Sequence, residues 1–249
     1  MLTISHPQRS HLLEFNSFDL TGQQSMVAAY TPKTYKSYWL TLPEVQHFPI
    51  GHRVIYDSEI VIECDHPDYT LNARVSNAWA EWLRKEKIPF TAGFSGGKSF
   101  HLHVFLDING TPFNDNMTEY FKRHCIKTRD IRNQFFMHYM YPHLKEIEST
   151  FLDGKESKID LQLLNVNHFI RNFGAKHETT GAYKVHVADF PEQPPIVTDD
   201  LKMAELYPPA PVPWRWYQNV GAWRAINALL LEGLKRKPRG NVVYRRRET

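Results

Sequence analysis

Only two cysteines, Cys64 and Cys125, occur in 249 residues, far apart and with no C-x-x-C spacing. That count excludes a disulfide framework and a four-cysteine zinc site, and it predicts a reducing interior. Long apolar runs are missing as well. No stretch approaches the roughly 20 apolar residues that span a bilayer, and the opening MLTISHPQRSHLLEF lacks the apolar centre of a secretory signal. A soluble, cytoplasmic protein with no membrane partner is expected. Net charge is small, at +3, which alone says little about a polyanionic partner. Its distribution says more: residues Trp214 to Thr249 carry nine Lys or Arg against two acids, which leaves the preceding chain net negative.

What is present is an ordinary globular composition, 42% hydrophobic and 23% charged, in a chain long enough for one large domain or two modest modules. Glu59 to Glu63 (EIVIE) reads as a strand ending in the acid-rich turn ECDHPDY. Ala73 to Lys87 has helical apolar spacing at Val75, Trp79 and Trp82. Asn116 to Ser149 also reads as helix, with a break or kink expected at Pro142. KIDLQLLN and YKVHVADF read as strands, separated by the loop HFIRNFGAKHETTG. Strands interleaved with helices predict an α/β or α+β sheet fold. Residues 1–188 form the expected core and 189–213 a proline-rich connector. Residues 214–249 form a basic helical C-terminal segment, whose tryptophans suit either core packing or stacking on bases.

The stretch FSGGKSFHLHVFLD, Phe94 to Asp107, has the look of a phosphate cradle. A P-loop needs G-x-x-x-x-G-K-[ST] running into a helix. Here Ala92 stands where the first glycine belongs, and the residues after Ser99 alternate like a strand. A glycine turn between two strands is predicted instead, with Lys98 at the bend and His101 and His103 on one strand face.

Glu63 and Asp65 stand two apart at a strand end, so their carboxylates share a side. Asp160 offers a third carboxylate on a later strand. Three such groups in one cleft repel unless a cation holds them, and hard oxygen ligands suit Mg²⁺ or Mn²⁺. Two such metals, about 3.5–4 Å apart, activate an attacking hydroxyl and neutralise a phosphate. Lys98, His101, Arg171 and His177 add groups able to meet a triphosphate.

The order Glu63-Cys64-Asp65, then Ser95-Gly96-Gly97-Lys98-Ser99-Phe100-His101, then Ile159-Asp160, then Ile170-Arg171 through His177 to Gly181, resembles the archaeo-eukaryotic primase superfamily. That family carries a D-x-D or D-x-E pair, an S-G-x-x-G-x-H turn, an h-D strand and an IR-x-P-G-S-x-H-x-K-T-G loop. The likeness runs from about Ile60 to Gly181. It implies a core of two α/β modules, one related to the RNA-recognition-motif fold, with the active site in the cleft between them. It further implies template-directed nucleotidyl transfer on single-stranded DNA, from ribonucleoside or deoxyribonucleoside triphosphates. Glu63, Asp65 and Asp160 would be the catalytic metal ligands. Ser95, Lys98, His101, Arg171 and His177 would bind the nucleotide. A helicase or a large primase subunit would be a further partner.

Three departures stand out. Glu63 replaces the usual first Asp. Thr179 stands where a phosphate-contacting lysine is common, so the expectation is either that Lys176 or Lys184 substitutes or that nucleotide affinity is lower. The family's cysteine-rich zinc element is missing, and the spacing of His124, Cys125, His138 and His143 is too irregular to replace it, so no structural zinc is predicted. Two other classes compete: a non-catalytic nucleic-acid-binding protein on the same core, and a metal-dependent phosphohydrolase using His101, His103 and Asp107.

Overall fold

In the computed structural model the described residues are 27–31, 36–40, 52–108, 110–124, 126–153, 156–165, 168–198, 206–209 and 211–235. Among the described residues, eight strands form two four-stranded antiparallel sheets. The first has the order β2-β1-β3-β7, built from β1 (Val27–Thr31), β2 (Lys36–Leu40), β3 (His52–Val54) and β7 (Phe169–Arg171). The second has the order β4-β6-β5-β8, built from β4 (Glu59–Glu63), β5 (Thr91–Phe94), β6 (Phe100–Phe105) and β8 (Val185–Val187). The fold is therefore mixed α and β.

Alternation along the second sheet decides where everything else goes. Ile60, Ile62 and Cys64 of the β4 segment and Phe100, Leu102 and Val104 of β6 face the main apolar core. Helix α1 (Tyr69–Lys85) closes this face with Ala73, Val75, Trp79, Ala80 and Leu83. Asp68 caps it by accepting the Thr70 N–H, which starts the helix four residues before the apolar periodicity does. Trp79 is fully buried and satisfies its indole by donating to the Leu144 carbonyl at 2.9 Å.

The long helical stretch is three helices: α2 (Asp115–Arg123), α3 (Thr128–Phe135) and α4 (Tyr141–Leu152). A single π-turn, Phe136–Met140, joins the last two. Pro142 lies in the first turn of α4, where its missing N–H costs nothing.

KIDLQLLN is not a strand. Only Ile159 bridges, antiparallel, to Cys64. The chain then turns into a 3₁₀ segment, Leu161–Leu164, because the Asp160 side chain accepts the Gln162 N–H and caps it. Conversely, Phe169–Arg171, read as loop, pairs with β3 as a strand.

The C-terminal segment holds a 3₁₀ turn, Trp216–Gln218, and helix α5 (Val220–Lys235). Trp214 and Trp216 pack on Phe135, with centroids 5.4 and 5.7 Å away, and Ala222 and Ile226 are buried in the same core. These tryptophans are core residues, which removes them as platforms for bases. The RRR run, Arg245 to Arg247, lies outside the described residues.

Candidate active site

The face of the second sheet turned away from the main core carries the chemistry. Glu63 pairs across the ladder with His101, and Val61 with His103. The Cys64–Ile159 bridge places Glu63 beside Asp160 and Asp65 beside Lys158, fixed by the Asp160 N–H to Glu63 carbonyl bond (3.0 Å) and the Asp65 N–H to Lys158 carbonyl bond (2.9 Å). Residues 63, 65 and 160 therefore emerge on one face at one sheet edge. Glu148, fully buried on α4, fixes the third: it accepts the Lys158 N–H at 2.6 Å and the Ser157 hydroxyl.

Each carboxylate is held by one of its two oxygens. Glu63 Oε1 accepts the Ser99 hydroxyl (2.5 Å) and faces His101 Nε2 at 3.4 Å. Asp65 Oδ1 pairs with Lys98 Nζ at 2.9 Å, both groups largely exposed. Asp160 Oδ1 accepts from Gln162 N. Burial opposes ionisation of Glu63, yet His101, Ser99 and Lys184 hold its pKa down to about 2. Burial raises the Asp160 pKa; the Gln162 N–H opposes this, and the charges of Glu63 and Asp65 add to the rise.

Among the described residues, no three His, Cys, Asp or Glu side chains already converge as a metal-ligand set. The chemistry of the donors nonetheless fits a hard divalent cation: three carboxylates on one edge, with Glu63 Oε2, Asp65 Oδ2 and Asp160 Oδ2 left without a protein partner among the described residues.

The glycine turn and the loop after β7 meet over this edge. Gly96 has φ +85°, and a Cβ there would press on the Ala182 carbonyl at 2.8 Å, so both conformation and space require glycine. Ser95 is buried; its carbonyl accepts Arg171 Nη1 at 2.8 Å, and its hydroxyl accepts the Gly97 N–H. Thr180 donates its hydroxyl to the Gly96 carbonyl at 2.6 Å.

His177 Nδ1 accepts the N–H groups of Thr179 and Thr180, which leaves the proton on Nε2, and Nε2 lies over Gly97. Burial and the Arg171 charge lower the His177 pKa, against the pull of Glu178, so it is a neutral donor. Arg171 Nη2 donates to Glu178 at 2.6 Å while Nη1 is held by the Ser95 carbonyl, so one arm of the guanidinium already meets an anion. Asn72, fully buried on α1, ties the two turns together: its amide donates to the carbonyls of His66 and Lys98 and accepts the His66 N–H.

Of the expected site residues, Glu63, Asp65, Asp160, Ser95, Lys98, Arg171 and His177 thus gather around one edge. His101 gathers there too, but it is 6% exposed with both ring nitrogens engaged inside the protein. Lys184, expected as a substitute phosphate contact, is fully buried beneath the sheet face, bonded to His101 and His103. Lys176 lies with its amine 4.8 Å from the Tyr183 ring.

Lys184 Nζ stands between His101 and His103, where a metal shared by the two rings would sit, and Asp107 is engaged instead with the Gly110 N–H. His124 stacks near Tyr120 and His143 on Trp82, while Cys125 lies outside the described residues.

Sequence reasoning missed Arg53 and Glu59. Arg53 grips Glu59 through both terminal nitrogens, at 2.7 and 3.0 Å, and His103 Nδ1 meets Glu59 Oε1 at 2.7 Å, all buried. Burial opposes the charge on Glu59, yet Arg53 and His103 hold its pKa far below the usual carboxylate range. Glu59 and Glu63 recur in phase along EIVIE, a signal that a second acid shares the site face.

No family model matches this chain, and no curated protein matches it, so the functional reading rests on the geometry of its residues.

Proposed function

We propose that the protein is a template-directed nucleotidyltransferase, a primase or primase-polymerase that starts or extends a strand on single-stranded DNA with Mg²⁺ or Mn²⁺. One observation carries the reading. Three carboxylates share a sheet edge at which a glycine turn, a lysine, an arginine fork and a histidine N–H meet.

Bound divalent ions would activate the 3′-hydroxyl and neutralise charge on the triphosphate. Glu63, Asp65 and Asp160 would hold them. Lys98, released from Asp65, would turn its ammonium to the phosphates, and Arg171 would exchange Glu178 for phosphate oxygens. His177 would donate Nε2–H beside the glycine turn, where charge grows as pyrophosphate leaves. In this reading the two sheets stand for the two modules of the primase superfamily, one of them related to the RNA-recognition-motif fold. Arg171 then comes from one module and Glu63 from the other. A helicase or large primase subunit would supply the replication context.

The test is incubation with single-stranded DNA, each nucleotide set and Mg²⁺ or Mn²⁺, with and without a primer. Metal-dependent incorporation that disappears in Asp65→Ala supports the reading; no incorporation under any of these conditions defeats it. A second reading, a non-catalytic DNA-binding protein on the same core, draws on the Lys98–Asp65 pair and the Ser99 and His101 contacts of Glu63, which satisfy two acids internally. Such a protein would bind the DNA in the same assay and incorporate nothing.

A further inference from the structure

Lys184 is fully buried, and its amine touches three polar atoms: His101 Nδ1 at 2.9 Å, His103 Nε2 at 3.0 Å and the Arg171 carbonyl at 3.1 Å. The Phe173 ring closes another side, its centroid 4.6 Å away. Burial and the Arg53 charge draw its pKa well below the usual lysine range, against the pull of Glu59 and Glu63. The hydrogen bonds around the amine decide which form the site needs.

The roles of these atoms follow from the outer ends of the chain of contacts. Carboxylates held ionised can only accept. Glu59 therefore accepts a hydrogen bond from His103 Nδ1–H, which makes His103 Nε2 an acceptor. Glu63 Oε1 faces His101 Nε2 at 3.4 Å, a long contact that favours a hydrogen on that nitrogen and so makes His101 Nδ1 an acceptor. The Arg171 carbonyl accepts as well. Three acceptors around one nitrogen match the three protons of an ammonium, whereas a neutral amine would leave one of them without a proton. Along the row the charges alternate: Arg53 positive, Glu59 negative, Lys184 positive, Glu63 negative, with a neutral histidine on either side of the lysine.

The ammonium also bridges the two sheets. His101 and His103 belong to β6, and Arg171 belongs to β7. We propose that Lys184 is a positioning residue: its ammonium locks His101 in the tautomer that presents Nε2–H to Glu63 and ties that same point to the backbone of Arg171. The carboxylate edge and the guanidinium fork are thereby held at one fixed separation. The functional half of this proposal rests on the nucleotidyltransferase reading, and the tautomer half rests on the contacts of the two histidines and the lysine alone.

The experiment has two arms on the full chain. In the first, long-range ¹⁵N spectra of the wild-type protein at neutral pH report the tautomers, and lysine Nζ spectra report the amine. The expected result is Nε2–H for His101, Nδ1–H for His103 and an ammonium at Lys184. Either tautomer reversed, or a neutral amine, overturns the proposal.

The second arm reads Mn²⁺ affinity by electron paramagnetic resonance in Lys184→Met, with the fold checked by its amide fingerprint. Losing a positive charge near three acids would by itself tighten Mn²⁺. Losing the positioning of Glu63 weakens it, by about tenfold, and lowers kcat for incorporation by about 100-fold, the usual consequence of a misplacement near 1 Å. Unchanged or tighter Mn²⁺ binding in a folded variant overturns the proposal. Should Lys184→Met not fold, the wild-type spectra decide. Wild-type protein that binds no Mn²⁺ and incorporates nothing defeats the nucleotidyltransferase reading, and with it the functional half, while the spectra still decide the tautomers.

Discussion

The two faces of the β4-β6-β5-β8 sheet are written by alternate residues of the same strands, yet they obey different rules. On one face Ile60, Ile62, Phe100, Leu102 and Val104 meet helices α1 and α4 in an apolar core. On the other, Glu59, Glu63, His101 and His103 form a row of ionic and hydrogen-bonded contacts against Arg53 and Lys184. The apolar face needs volume, which several side chains can supply. The polar face needs particular protons on particular atoms, because a buried polar group that loses its partner keeps its full desolvation penalty. A slip of one residue in β4 would exchange core and site, so register here fixes both at once.

The sharpest way to separate the faces is at the polar edge. Asp65→Ala or Asp160→Ala should lower nucleotide incorporation by about 1,000-fold or more; Asp65→Ala should leave thermal unfolding nearly unchanged, whereas Asp160→Ala also loses the cap of the 3₁₀ segment and should cost about 1 kcal/mol. Primer-extension rates and melting curves on the same preparations check this. Near wild-type rates would remove the catalytic role.

Two replacements of nearly equal size come next. Glu59→Gln strands the buried Arg53 and should cost about 3–5 kcal/mol. Leu102→Met, on the apolar face of the same sheet, should cost under about 1.5 kcal/mol. Urea titrations of both would erase the contrast if the costs came out alike.

Acid provides a graded version. Glu63 has its pKa lowered to about 2 from 4.5, so the stability it contributes is full above pH 4.5 and is lost as pH falls towards 2. Glu63→Gln should flatten the stability profile in that window, whereas Leu102→Met should shift it without changing its shape. The smallest effect lies far from either face. Deleting Asn241 to Thr249 should flatten the salt dependence of single-stranded DNA binding by about 0.7 in log–log slope for each phosphate that the tail neutralises in the wild type, with incorporation on saturating template preserved.

Much of the polar edge is readable because strand alternation is a strong local signal. EIVIE is β4 from end to end, and the glycine turn and β6 follow where the alternation puts them. Asp160 reaches the right edge by a different route: a single bridge and a side-chain cap replace the expected strand, since its carboxylate competes for the backbone two residues on. Lys184 defeats the local reading because lysines are rarely fully buried, which makes a phosphate contact the default expectation. Its phase in YKVHV sets it with His186 and against Tyr183 and Val185, and that alternation is the available clue. The pairing of β7 with β3 depends on contacts more than 100 residues apart, which no local pattern encodes. Arg53 and Glu59 are only six residues apart, yet they stand on strands of different sheets, β3 and β4, so of the pair only the phase of Glu59 is visible in the local pattern.

Cys64 lies between two of the acids but points the other way, into the core at 0% exposure, with burial pushing its thiol up to about 12. A thiol reagent can reach it only when the β4 end parts from the Ile159 bridge, so in a Cys125→Ser background the labelling rate is a clock for the opening of that edge. A cation gripping Glu63, Asp65 and Asp160 from the opposite side would slow the clock without ever touching sulfur. The molecule carries, one residue deep and facing away, a timer for how firmly its own carboxylates are held.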